Sequence, residues 1–120
     1  ATCDPPPLTP GGPRIWLGGQ KPRGIGIAAR LADGWNHSGG DLETFVTQRD
    51  ALLRACETAG RDPAAMEFTS GGARSVEDAE WYASIGIDRI TIAVRARTID
   101  DMKAELHQFA EEVISKTTGL

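Results

Sequence analysis

Four times along this chain a short apolar run is followed by a longer stretch with helical spacing, and this alternation constrains the fold more than any other feature. Ile15-Trp16-Leu17 is halted by Gly18-Gly19, the pattern of a buried strand ending in a loop. Pro22 suits a first helical turn, and Ile25, Ala28, Ala29 and Ala32 then recur on one helical face. Gly34-Trp35-Asn36 reads as a second, very short strand. Asp41 is placed to cap a helix whose apolar face is Leu42, Phe45, Val46, Leu52, Leu53 and Cys56, up to Gly60. Met66 to Ser70 gives a third strand. Ser75-Val76-Glu77-Asp78 has the form of a capping box opening a helix through Ala79, Tyr82 and Ala83, with Gly86 as its stop. Arg89 to Val94 alternates with the period of a strand, and Thr98 caps a last helix with the stripe Ile99, Met102, Leu106, Phe109 and Val113.

Strands separated by helices imply right-handed crossovers and a parallel sheet, an α/β fold. Four consecutive βα units are half of a TIM (β/α)8 barrel or, alternatively, a small doubly wound sheet. The half-barrel is assigned to residues 14–120, and residues 1–13 form a Pro-rich, linker-like lead with no means of packing. The opening Ala1-Thr2-Cys3 has no initiator methionine and no secretory pattern, which reads as a chain cut from something longer.

Composition removes several function classes. No apolar run approaches the roughly 20 residues that cross a bilayer, so no membrane span is expected. A net charge of -4 argues against nucleic acid, whose affinity rests on clustered Lys and Arg. Cys3 and Cys56 are far apart, and with His37 and His107 they make no zinc-type cluster, so no metal is expected. Two unrelated thiols point to a reducing, cytoplasmic setting.

Gly24-Ile25-Gly26-Ile27-Ala28-Ala29 matches the G-x-G-x-x-A pattern of dinucleotide-binding loops. That fingerprint puts its first glycine in the tight turn at the strand end, whereas Gly24 follows a helix already started at Pro22. The Rossmann reading therefore fails. What remains is Gly18-Gly19-Gln20-Lys21-Pro22-Arg23 between a strand end and a helix N-terminus, where unpaired N–H groups and the helix dipole favour an anion. Lys21 and Arg23 add charge, and two glycines let a ligand approach the backbone. The same residues equally suit a plain turn, with Gly24 and Gly26 serving close helix packing.

Pro13-Arg14-Ile15-Trp16-Leu17-Gly18-Gly19, then Pro22-Arg23, then Ala28-Ala29-Arg30-Leu31-Ala32-Asp33-Gly34-Trp35-Asn36, resembles the bacterial luciferase-like family of flavin-dependent monooxygenases and coenzyme F-420-dependent oxidoreductases. Gly60-Arg61-Asp62-Pro63 and Gly86-Ile87-Asp88-Arg89 support the likeness, which runs from about Pro10 to the C-terminus. The resemblance implies a TIM barrel of which this chain is the C-terminal half. It also implies that the family's catalytic residues from the first four strands lie outside the chain. Leu17, Gly18, Gly19 and Gln20 are then expected to touch the cofactor near its phosphate-bearing tail, with Lys21 and Arg23 beside them. The cofactor is expected to be coenzyme F-420 or FMN.

Barrel enzymes carry their chemistry on the loops after the strands. Asn36, His37 and Ser38 follow the second predicted strand, Ser70 to Arg74 the third, and Arg95 to Arg97 the fourth. His37 is a candidate general acid, against the plainer reading of a solvated loop histidine. Arg95 and Arg97 are candidates to grip an anionic substrate or cofactor tail, against the plainer reading of rim ion pairs. Trp16 and Trp35 read as core or barrel lining, and Asp33 as a brace for the turn beside it. A half-barrel leaves two open strand edges and an uncovered face, so the missing N-terminal half or a second copy of the chain, as a homodimer, is expected to cover them. The alternative function is a non-catalytic half-barrel that serves as an assembly or binding module.

Overall fold

The computed structural model describes residues 4–37 and 41–119. Its elements are β1 (Trp16–Leu17), α1 (Pro22–Leu31), β2 (Gly34–His37), α2 (Leu42–Thr58), β3 (Glu67–Gly71), α3 (Val76–Ser84), β4 (Arg89–Thr91) and α4 (Ile99–Glu112). Short 3-10 turns stand at Pro63–Ala65 and Ile114–Lys116. No helix among the described residues is long and apolar enough to cross a membrane.

The four strands pair in chain order, β1-β2-β3-β4, all parallel. A doubly wound sheet needs its strand order to reverse at a switch point, and this one does not reverse. Successive right-handed crossovers in one direction put every helix on the same side of the sheet, as in part of a barrel. That is the half-barrel arrangement predicted above, and the doubly wound alternative is excluded.

Register explains the two sheet faces. Leu17, Trp35 and Phe68 are neighbours across the sheet, and so are His37, Ser70 and Ile90. This face meets the helices: Trp35 and Phe68 pack with Phe45 of α2 and with Ala28, Ala29 and Ala32 around α1. The small residues of α1 let the helix lie close to the strands. On the other face Trp16, Gly34 and Glu67 are neighbours. A Cβ on Gly34 would stand 2.5 Å from the Trp16 ring, so the missing side chain is what lets the indole lie flat across β2. The Arg89 guanidinium sits 5.3 Å from the Trp16 ring centroid and 3.6 Å from the Glu67 carboxylate, which also pairs with Arg14.

The N-terminal ends of the strands are tied by charged side chains. The Asp33 carboxylate accepts from Ile15 N at 2.7 Å, and that of Asp88 accepts from Phe68 N at 2.7 Å. Each aspartate stands just before one strand and holds the neighbouring one. Arg61 donates to the Ala29 and Ala32 carbonyls at 3.1 and 2.7 Å, placing a cation on the C-terminal end of the α1 dipole. In these positions the residues of the ADGW, GIDR and GRDP stretches hold the barrel's lower end together.

Two expectations need correction. The fourth strand was predicted over Arg89 to Val94 but ends at Thr91. Beyond it, Arg74 takes the Ala93 carbonyl, and the Glu105 carboxylate takes the amides of Arg95 and Ala96 at 2.9 and 3.1 Å. Side chains thus replace the ladder. The α4 stripe is also only half used: Val113 is 5% exposed, whereas Ile99 is 70% and Leu106 47% exposed.

Candidate functional site

Among the described residues, the C-terminal ends of the parallel strands open onto the loops 18–21, 72–75 and 92–98. The first of these loops differs from the rest in how it enters its helix. Asp41, Ser75 and Thr98 each cap their helices by accepting from Thr44, Asp78 and Asp101 amides. Each of those helices also carries acidic residues in its first turn. The α1 N-terminus has Lys21 at the cap position with no side-chain cap, Pro22 next, and no acid in the first turn. Three helix dipoles are thus satisfied from within the chain, and the fourth is left with cations around it.

The backbone before α1 is shaped by two glycines. Gly19 has φ +105, a conformation that a side chain opposes. A Cβ on Gly24 would stand 2.9 Å from the Gly19 carbonyl oxygen, so Gly24 is what allows α1 to start against this turn. That approach accounts for the first glycine of the pattern that resembled a dinucleotide fingerprint; a Cβ on the second, Gly26, would meet nothing nearer than the Arg30 side chain at 3.8 Å, so the close packing expected of it is not found. The Gly19 oxygen accepts from the Trp35 indole Nε1–H at 3.2 Å. Sequence reading gave Trp35 a packing role only. The structure pairs Trp35 with Leu17, one residue from Gly18-Gly19, a long-range relation that residue spacing does not display.

Of the predicted cradle residues, Leu17 ends β1 and packs against the core, while Gly18, Gly19, Lys21 and Arg23 are exposed and Gln20 is half-buried. They run from the end of β1 through the connecting loop into the first turn of α1. Arg95 and Arg97 are exposed on the loop after β4. Strands β2 and β3 lie between β4 and β1, so the sheet does not bring these two arginines beside the cradle. Arg74, on the loop after β3, is held by Glu105 at 3.1 Å. The two backbone amides and Arg74 hold the Glu105 carboxyl below its ordinary range.

His37 stands elsewhere than expected. It is the last residue of β2, not a loop residue, and its side chain is turned into the helix layer at 2% exposure. Its ring lies 5.4 Å from that of Phe45 and 5.8 Å from that of Trp35. Nδ1 is 3.4 Å from Ser70 Oγ, and Nε2 is buried without a protein partner among the described residues. Ser38, predicted beside it on the rim, lies outside the described residues. Burial pushes the His37 pKa below 6.5, with the Asp41 carboxylate opposing that shift. The folded chain therefore binds this proton more weakly than the unfolded chain. Stability is expected to fall as pH drops from 7 through 6.5 and to level off below the folded value. Urea unfolding at stepped pH checks this, and His37→Phe is expected to flatten the slope over that window. An unchanged slope in the variant assigns the effect to other groups.

No group of three or more His, Cys, Asp or Glu among the described residues is placed to hold a metal ion.

A family model described as luciferase-like monooxygenase matches residues 2–117. A search among curated proteins returned no match. Among solved structures, the coenzyme F-420-dependent tetrahydromethanopterin reductase of Methanopyrus kandleri aligns with a TM-score of 0.65 at 11% identity over 86% of this chain. The alignment covers 50% of the reductase, so this chain spans about half the length of that enzyme. A riboflavin lyase solved with modified FMN and riboflavin aligns with a TM-score of 0.49 at 18% identity over 62% of this chain and 18% of its own. A long-chain alkane monooxygenase aligns with a TM-score of 0.47 at 18% identity over 88% of this chain and 24% of its own.

Proposed function

The chain belongs to the luciferase-like monooxygenase family, and from that premise we propose that it forms part of a flavin- or deazaflavin-dependent oxidoreductase, supplying the turn that holds the cofactor's phosphate. The observation that carries this reading is the α1 N-terminus, the one described α-helix start with no capping side chain and no acid, flanked by Lys21 and Arg23. The donor set fits a phosphate: backbone amides of the first helical turn, the positive end of a dipole, and two cations. FMN and coenzyme F-420 both present such a group. When bound, either one supplies the hydride or oxygen chemistry. The chain's own residues bind and orient. Lys21 and Arg23 neutralise the phosphate, Gly18 and Gly19 let it approach the backbone, and Leu17 anchors the turn to the core.

The test is a fluorescence titration of the purified chain with FMN and with coenzyme F-420, each against its phosphate-free counterpart. Saturable binding that prefers the phosphorylated form supports the reading. Equal affinity for FMN and riboflavin, and likewise for the deazaflavin pair, removes it.

A second copy of the chain, or the N-terminal half of a barrel, completes the structure in this reading. Strands β1 and β4 each have one neighbour in the described sheet, and α4 exposes Ile99, Met102 and Leu106. Unpaired strand edges and apolar stripes are both templates for association. Sedimentation at micromolar concentration is expected to show a dimer. A folded monomer across that range removes self-association.

A further inference from the structure

We propose that His37 is an acid-sensitive latch at the mouth end of the sheet: neutral, it holds the end of β2 against the first turn of α2, and protonated, it leaves the aromatic layer and lets that corner open. The latch is independent of the cofactor reading, which gives His37 no part.

His37 closes β2 and is the direct partner of Ser70 on β3. Its ring is 2% exposed and lies 5.4 Å from the Phe45 ring and 5.8 Å from the Trp35 ring. Phe45 belongs to the first turn of α2, where its amide donates to the Asp41 carbonyl at 3.2 Å. One histidine thus joins the ends of β2 and β3 to the start of α2. Nδ1 is 3.4 Å from Ser70 Oγ, and Nε2 is buried with no partner among the described residues. A neutral imidazole has one donor and one acceptor nitrogen, so this arrangement leaves a single polar atom unanswered.

Protonation changes the demand on the site. An imidazolium donates from both nitrogens, and Ser70 answers only one of them. The other N–H then carries a buried charge with no acceptor, which a protein interior strongly opposes. The surrounding layer offers no compensation. Trp35 of β2, Ser70 of β3 and Phe45 of α2 are uncharged side chains. Cys56 of α2 and Tyr82 of α3 share the core cluster with Trp35 and Phe45, and burial pushes both above their ordinary values, so they stay neutral near pH 7. Among the described residues, the charge that acts on the ring is the carboxylate of Asp41. It is exposed at the cap of α2, where the Thr44 amide and hydroxyl keep it below its ordinary range and therefore ionised. The neutral ring is favoured inside the layer, and the charged ring outside it, toward water and Asp41.

The opening is local because the ties at the other end of the strands do not pass through His37. Asp33 still holds Ile15, Asp88 still holds Phe68, and Arg61 still holds the end of α1. Segments with separate sets of contacts open separately.

Nuclear magnetic resonance of the isotope-labelled chain, stepped from about pH 8 to about pH 5, tests the latch. The ring signals of His37 report its protonation, and amide protection factors report opening. Below pH 6.5, the ordinary histidine value, protection of the Phe45 amide and of the paired β2–β3 ends is expected to fall about tenfold per pH unit until the closed ring's own lower pKa is passed, as one proton taken up on opening requires. The Ala32 and Val113 amides, bonded to the Ala28 and Phe109 carbonyls, are expected to keep their protection. His37→Phe and His37→Gln, one apolar and one polar, are each expected to abolish the fall. An equal loss at Ala32 and Val113 makes His37 a contributor to global stability alone and overturns the latch. A ring that protonates while the Phe45 amide stays protected overturns it too, as does a fall that persists in either folded variant.

Discussion

Replacing Phe45 by alanine is expected to lower the unfolding free energy by about 3–5 kcal/mol, the usual cost of removing a fully buried aromatic ring. Phe45 is 0% exposed and is the one helix residue in an aromatic cluster otherwise drawn from the strands. Its centroid lies 5.4 Å from His37, 6.0 Å from Phe68 and 6.3 Å from Trp35. Two strands and a helix therefore meet at this one ring. A domain has only about 5–15 kcal/mol in total, so the variant is expected to be partly unfolded at 37 °C. The effect is expected to spread in two directions. His37 loses one of its apolar neighbours, which brings its pKa back toward the ordinary value and reduces the pH dependence of stability. Trp35 loses its stacking neighbour, which loosens its hold on Gly19. Urea unfolding monitored by circular dichroism measures the first-order effect, with Phe45→Leu expected between the two extremes. A loss below about 1 kcal/mol for Phe45→Ala contradicts the packing described here.

That hub was legible in the sequence in part. Phe45 lay on the apolar face read from helical spacing, because helix faces and caps are local properties. Asp41, Ser75 and Thr98 cap where the pattern put them, each accepting from an amide three residues on. What the pattern could not decide was long-range. Alternating strands and helices fit both a barrel segment and a doubly wound sheet, and only the pairing order separates them. The length of β4 depended on Arg74, which reaches the loop from the preceding unit, and on Glu105, which reaches back from α4. His37 shows how sharply a strand end matters. Extending β2 by one residue turns a rim histidine into a buried one, because successive side chains point to opposite faces. The proposed cradle rests on residue types around a strand end, which the sequence displays. The hydrogen bond from Trp35 to that turn is not displayed there, since the Trp35 ring reads from sequence as core and its indole nitrogen reaches back across 16 residues.

The double variant Lys21→Glu with Arg23→Glu is expected to lose FMN affinity by about tenfold to a hundredfold, on the scale of losing two charge-assisted contacts to a phosphate. Both side chains are exposed at the positive end of α1. Two charge reversals turn attraction into repulsion at the same place. The effect on the fold is expected to have the opposite sign. Acidic residues in a first helical turn favour the dipole, and each is worth a few tenths of a kcal/mol at an exposed site. Unfolding measurements are therefore expected to show the double variant no less stable than the unsubstituted chain. The combination separates a binding role from a folding role, because damage to the structure lowers both quantities. Salt gives a further check, since exposed charges are screened within about 8 Å at physiological ionic strength. The affinity gap between the two proteins is expected to narrow as salt is raised, while riboflavin, which carries no phosphate, binds both alike at every salt concentration. FMN binding unaffected by the double reversal means that the phosphate is held elsewhere on the rim. The basic loop bearing Arg95 and Arg97 is then the next place to reverse charge.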